Sequence, residues 1–282
     1  MNTEPPGSKN TTAGVHKEPL ALVVHTATLH QPLQWLQRGW GDLMRCPVPG
    51  LLHGAASLIF GALLVLLARD SFWLMAGAFS GFLIVAPVVA TGLYAISRAL
   101  EQGQRPGIAT VVQVWRSGDT RLVRFGLLLA LAGTGWVLTS ASLVTGWSQV
   151  PILKPSDFLR HVVLADGVGL FEAWLMLGGA LAAPIFASSV VAIPLLLDRP
   201  CSLMQAVLTS WRVVLAAPAV LAFWAALIMG ITLLGMASAL LGLVVAVPWL
   251  AHASWHAYRD LIGSAQPSAA RPPASSRQPA QR

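Results

Sequence analysis

Charge is the first thing this chain lacks: Asp and Glu number 11 and Lys and Arg 18 among 282 residues, 10% in all against 55% hydrophobic residues. An average soluble domain carries nearer a quarter charged residues. So few ionic groups cannot coat a water-facing globule of this size, and a mean hydropathy of +0.67 points to lipid as the main solvent. Cysteine is scarce as well. Cys46 and Cys201 make neither a metal-ligand spacing nor a disulfide framework, and both are expected on one reducing side. The N-terminal MNTEPPGSKNTTAGVHKEP has no apolar core of the kind a cleavable signal needs, so the first span is expected to direct insertion. A dinucleotide-binding glycine motif, a P-loop, HExxH, a nucleophile elbow and CxxC are all missing. Those absences argue against an enzyme. The pI near 10.4 does not argue for nucleic acid, because the basic residues are scattered through short loops rather than gathered on a face.

Long apolar runs are what the chain has instead. A helix crossing the hydrocarbon core needs about 20 apolar residues. Runs of that kind predict spans at about 51–68, 72–96, 125–144, 170–197, 213–235 and 238–258. The last two come from one stretch, Val213 to Tyr258, without Asp, Glu, Lys or Arg. As a single helix it would reach roughly 69 Å, twice a bilayer, so a reversal is expected among Gly235, Met236, Ala237 and Ser238. The expected architecture is all-α: a six-span transmembrane bundle of three hairpins.

Basic residues orient such a bundle, because cytoplasmic segments retain them. With the N-terminus inside, the inner segments hold Lys9, Lys17, Arg38, Arg45, Arg98, Arg105, Arg116, Arg121, Arg124, Arg199, Arg212, Arg259, Arg271, Arg277 and Arg282, and the outer loops hold only Arg69, Lys154 and Arg160. Both ends are therefore expected in the cytoplasm, and the protein in a bacterial inner membrane with attraction to anionic inner-leaflet lipid. Residues 1–31 and 264–282, rich in Pro, Ser, Ala and Gln, read as disordered tails around a transmembrane domain at 32–263. The segment from Pro32 to Met44 reads as a short helix at the inner interface, with Leu33, Leu36, Trp40 and Leu43 at helical spacing and tryptophans at headgroup level. Gly146 to Gly169 is long and polar enough for a small ordered outer cap.

A weak repeat runs through the hairpins. Trp40, Trp115 and Trp211 precede the three entries, and each returning span carries a proline and then an arginine: Pro87 and Arg98, Pro194 and Arg199, Pro248 and Arg259. Trp40 to Pro47 has the same spacing as Trp211 to Pro218. The repeat is parallel, unlike the inverted plan of many transporters. Glycine pairs such as Gly77 and Gly81 read as helix-packing signals.

Few side chains in the spans could do chemistry. Glu172 is the one clear intramembrane acid, a functional suspect by cost alone, although its place in the first turn of the fourth span lets it reach water and pair with Arg160 or His161. His252 and His256 lie four apart on one helical face, and His53 is expected at the same depth. Together the three are candidate metal ligands. The plainer reading has them bonded to interfacial backbone, lipid phosphate or tryptophans such as Trp249 and Trp255, with Asp260 the only nearby carboxylate. No cofactor is expected on spacing alone.

From PLQWLQRGWGDL before the first span, through GFLIVAPVVATGLYAISRALE and VVAIPLLLDRP, to VPWLAHASWHAYRDLI at the end of the last, the chain resembles an uncharacterised family of predicted bacterial integral membrane proteins, a domain of unknown function. Some members are labelled cytochrome c oxidase subunit I, which implies haem and copper. Three functions follow as expectations. The leading one is a non-enzymatic structural or accessory component that assembles, stabilises or regulates a membrane complex or packs with itself. The others are a small-solute or ion transporter or channel, entered near Glu172 and left near His53, His252 and His256, and a haem or metal protein using those histidines.

Overall fold

The computed structural model describes residues 22–68, 70–148, 150–165 and 169–264. Most of both expected tails, six of the counted basic residues (Lys9, Lys17, Arg69, Arg271, Arg277, Arg282) and Asp166 of the outer loop lie outside the described residues. A short strand, β1 (Leu22–Val24), precedes α1 (Gln31–Arg45), α2 (Pro47–Ala68), α3 (Phe72–Val89), α4 (Thr91–Glu101), α5 (Ile108–Arg116) and α6 (Thr120–Trp147). Then come α7 (Pro155–Phe158) with a π turn over Leu159–Val163, α8 (Leu170–Ser189), α9 (Ala192–Asp198), α10 (Leu203–Ala216), α11 (Pro218–Ala237), α12 (Leu243–Leu261) and β2 (Ile262–Ser264). Leu22, Val23 and Val24 pair antiparallel with Ser264, Gly263 and Ile262. Residues 22–24, inside the segment read as an N-terminal tail, are thus paired with the last residues of the bundle and the first of the C-terminal segment.

Among the described residues four helical units are long and apolar enough to cross a membrane: α2, α6, α8 with α9 (Leu170–Asp198), and α11. The expected second span falls on α3 and α4, which part at Ala90, and the expected sixth on α12, whose last turn carries Arg259 and Asp260. The fifth expected span is corrected at its start. Val213–Ala216 belong to α10, and the chain breaks at Ala217 before Pro218, because proline has no N–H to continue a helix and is suited to the first position of the next one. Pro47 opens α2 in the same way after Cys46. The residues before the two prolines share a backbone conformation, φ −138° and ψ 68° at Cys46 and φ −139° and ψ 58° at Ala217.

The same order therefore recurs: a short amphipathic helix (α1, α5, α10), an apolar helix leading away (α2, α6, α11), and an apolar return (α3–α4, α8–α9, α12). Pro194 sits in the first turn of α9, just after the chain parts at Val190 and Val191. The Val191 N–H freed there is bonded by Ser210 Oγ of α10 at 3.1 Å, and Trp211 Nε1 reaches Ser188 Oγ at 2.9 Å.

The α11–α12 reversal lies at 238–242, slightly beyond the place expected from glycine. Ala239 (φ 55°) and Leu240 (φ 69°) take the left-handed conformations. Gly235 and Gly242 serve close approach instead: a Cβ on Gly242 would stand 2.8 Å from the Gly235 Cα.

The main core lies toward the end of the bundle where α1, α4, α9 and α12 meet, with Trp35, Leu93, Leu195, Trp224, Trp255 and Tyr258 buried. Two glycines set how closely α12 is approached. A Cβ on Gly39 of α1 would lie 2.5 Å from the Ala253 nitrogen, and one on Gly54 of α2 would lie 2.0 Å from the Val244 oxygen. Gly77 faces Val137, whereas Gly81, its expected packing partner in the sequence pattern, meets nothing within 4 Å. At the other end, Phe158 of the α6–α8 connection stacks on Phe72 and packs edge-on against Trp174, over buried Val144, Ile152, Val162 and Leu170.

Candidate functional site

The buried face of α1 is Trp35, Leu36, Gly39, Asp42 and Leu43. This differs from the expected apolar stripe: Leu36 and Leu43 are inside, but Leu33 and Trp40 are exposed. The reason is docking, since α1 packs along α12 rather than presenting its apolar face to lipid alone. Trp35 is fully buried edge-on against Trp224, while Trp40 lies against Trp249, whose Nε1 donates to the Leu36 carbonyl at 2.7 Å.

That docking places a carboxylate beside the histidine pair. His256 Nε2 donates to Asp42 Oδ2 at 2.8 Å, with Asp42 only 4% exposed. Ser97 of α4 also bonds the Asp42 carboxylate. Burial pushes the Asp42 carboxyl up, but the hydrogen bonds from His256 and Ser97 and the nearby histidine charges outweigh it and hold the group below its ordinary value of 3.8. Ser97 Oγ stands 2.8 Å from His252 Nδ1, both residues fully buried. With the single Ser97 proton given to Asp42, His252 is the donor to Ser97. Three helices are thus joined through a His256–Asp42–Ser97–His252 chain.

A second knot lies beside it. The arginines of the three returning helices, Arg98, Arg199 and Arg259, converge on one carboxylate, Asp198, at 3.2, 3.6 and 3.8 Å. Tyr258 Oη donates to it at 2.7 Å. Glu101 accepts from Arg259 Nε at 3.0 Å and from Trp255 Nε1 at 3.3 Å. Asp260 holds Arg38 and accepts from Trp35 Nε1 at 2.8 Å. Arg121 donates to the carbonyls of Leu196, Arg199 and Cys201, meeting the open acceptors at the end of α9, while its ion pair with Asp119 holds that carboxyl below the ordinary range.

The sequence candidates are therefore distributed as follows. His252 and His256 are both in the chain through Asp42, and the carboxylate beside them is Asp42 rather than Asp260. His53 is not hydrogen-bonded into that chain but is near enough to His252 to interact with it electrostatically; its Nδ1 donates to the Pro49 carbonyl at 2.8 Å and its ring lies 5.3 Å from that of Trp115. Among the described residues no group of three or more His, Cys, Asp or Glu is placed to hold a metal ion. His256 Nε2 is given to Asp42, while His252 Nε2 is buried with no hydrogen-bond partner among the described residues. Glu172 is exposed and accepts from the Gly169 N–H at 3.0 Å, capping its own helix; among the described residues no ion pair joins it to Arg160 or His161. Neither cysteine is in a disulfide, and burial pushes both thiols up. Ser97, Glu101, Asp198 and Tyr258 escaped the sequence reading. Asp42 left one usable sign, its place at helical spacing from Trp35 and Gly39.

Four helices of crossing length among the described residues define a multi-pass integral membrane protein. Residues 74–198 match the family described as Predicted integral membrane protein (DUF2189), a description that mentions no oxidase and no cofactor. No curated protein and no solved structure matches the chain.

Proposed function

We propose that this chain is a six-span protein of a bacterial inner membrane, with both termini in the cytoplasm, that serves as a structural or accessory component of a membrane assembly and not as an enzyme. The observation that carries this reading is the use made of its ionisable groups. Asp42, His256, Arg98, Asp198, Arg259 and Glu101 are consumed in bonds to one another at one end of the bundle. Groups paired in this way across α1, α4, α9 and α12 lock those helices together, which supports a structural role. Two cavities between the helices are lined mainly by apolar side chains, with no acidic or basic residue besides His53 among those lining them.

In this reading α3–α4 and α12 complete six spans. Phe72–Val89 alone would span about 27 Å at 1.5 Å per residue, close to the hydrocarbon thickness. The test is to delete the gene and compare the membrane complexes on native gels with quantitative mass spectrometry. Loss or shrinkage of one complex, restored by the wild-type chain, is the expected result. An unchanged set of complexes, together with solute flux through proteoliposomes of the purified chain, would overturn the reading in favour of transport.

A further inference from the structure

The larger of the two cavities, about 370 Å³, lies between α2, α3, α4, α5 and α12. That volume is within the range of small-molecule sites, roughly 300–1,000 Å³. Apart from His53 and Ser57 its lining is aliphatic and aromatic. Six of the lining side chains, Leu52, Phe60, Val89, Ile108, Val112 and Trp115, are themselves exposed, so the cavity is an open crevice and not a sealed void. The smaller cavity, about 180 Å³, adjoins it and shares Ser57, Phe60 and Phe82.

Helix α5 forms one lip of the crevice. Val111 sits in the notch left by Gly92 of α4, where a Cβ would come within 2.6 Å of Val111 Cγ1, and this seating holds α5 against the bundle. Ile108, Val112 and Trp115, at helical spacing, are left as an exposed apolar stripe along the lip. A cation stands at each end of the stripe: Arg105 three residues before Ile108, and Arg116 next to Trp115. Both arginines are exposed, and neither has a hydrogen bond or ion pair among the described residues. The acids nearest to them in sequence are already committed, Glu101 to Arg259 and Asp119 to Arg121. An apolar stripe bounded by unanswered arginines suits the boundary between acyl chains and headgroups.

We infer that this crevice seats an acyl chain of an anionic phospholipid, whose phosphate is held electrostatically at the mouth by Arg105 and Arg116. The acyl chain enters past side chains that are exposed, and the headgroup stays outside, where the two cations are exposed as well. The charge selects an anionic lipid over a neutral one. The apolar crevice selects a lipid over an acidic protein, which brings no hydrocarbon chain to fill it.

The test is native mass spectrometry of the full chain in detergent, titrated with dioleoyl phosphatidylglycerol or dioleoyl phosphatidylcholine. One phosphatidylglycerol is expected to be retained about tenfold more tightly than phosphatidylcholine, within what two arginines at a lipid surface supply. The double variant Arg105→Gln/Arg116→Gln should bring phosphatidylglycerol down to the level of phosphatidylcholine and leave the latter unchanged. Arg212→Gln removes an equally exposed and unpaired arginine from α10, away from the crevice, and should keep the preference. Ala56→Phe, at an exposed position of the crevice wall, should weaken both lipids together. Equal retention of the two lipids by the wild-type chain would overturn the assignment, as would a preference that survives the double variant or is lost as fully in Arg212→Gln. Retention untouched by Ala56→Phe, with phosphatidylglycerol displaced by an acidic peptide, would give the surface to a protein partner instead. Because the readout is lipid retention by the chain itself, failure here leaves the accessory role proposed above standing, and loss of that role leaves this site standing.

Discussion

Asp42 shows most clearly how one side chain governs this fold. It is nearly inaccessible and accepts from both His256 and Ser97. Asp42→Ala should therefore strand two buried polar groups and lower stability by about 3 kcal/mol, read as a drop in the detergent-solubilised unfolding midpoint. The pH dependence has a fixed sign. A carboxyl held below 3.8 in the folded state binds fewer protons there than when unfolded. It contributes its full stability above that value and loses it as pH falls through the depressed folded pKa. Melting points taken from pH 6 downward should fall below about pH 4, and less steeply in Asp42→Asn. Ala239 is the opposite case, an exposed residue in a left-handed conformation that suits glycine. Ala239→Gly should raise stability by about 0.5–1 kcal/mol in the same melts, and a loss would show the turn is not strained there.

Between elements, small residues decide what can touch. The backbone of α12 lies so near Gly54 of α2 that any side chain there would collide with the Val244 carbonyl. Gly54→Leu should push the two helices apart and cost about 3 kcal/mol, whereas the same change at Gly81, which faces open space, should cost little. A comparison of the two melts decides the point. Along the chain, the prolines that part α1 from α2 and α10 from α11 were visible as a repeated Trp–Pro spacing, and their shared backbone conformation answers to it. The arginines of the three returning helices were visible too. Their meeting at Asp198 was not, because spacing along a helix says nothing about which neighbouring helix supplies the counter-ion.

For the whole molecule, the layout expected from basic residues is open to a direct measurement. With Cys46 and Cys201 replaced by serine, Ser156→Cys in the outer cap should react with a membrane-impermeant maleimide in intact cells. Gln104→Cys, in the exposed connection between α4 and α5, should react only after the inner membrane is opened. Labelling of both in intact cells would break the topology. The folded segment 150–165 between α6 and α8 was also legible, since the length and polarity of that connection asked for a small cap. The apolar face that α1 keeps was misplaced in the sequence, because Leu33 and Trp40 fit a lipid-facing helix as well as Trp35 and Leu36 fit a docked one.

The sequence alone determined that this chain lives in lipid and roughly where its apolar helices run. Those properties follow from composition and period, which act residue by residue along the chain. Only the tertiary structure decided that α1 docks on α12, that Asp42 and not Asp260 meets the histidine pair, that His53 bonds back to its own helix, and that three arginines share Asp198. Each of these depends on which helix faces which. That choice is made by close packing at Gly39 and Gly54 and by the pairing of buried polar groups across long separations, and neither leaves a local pattern in the sequence.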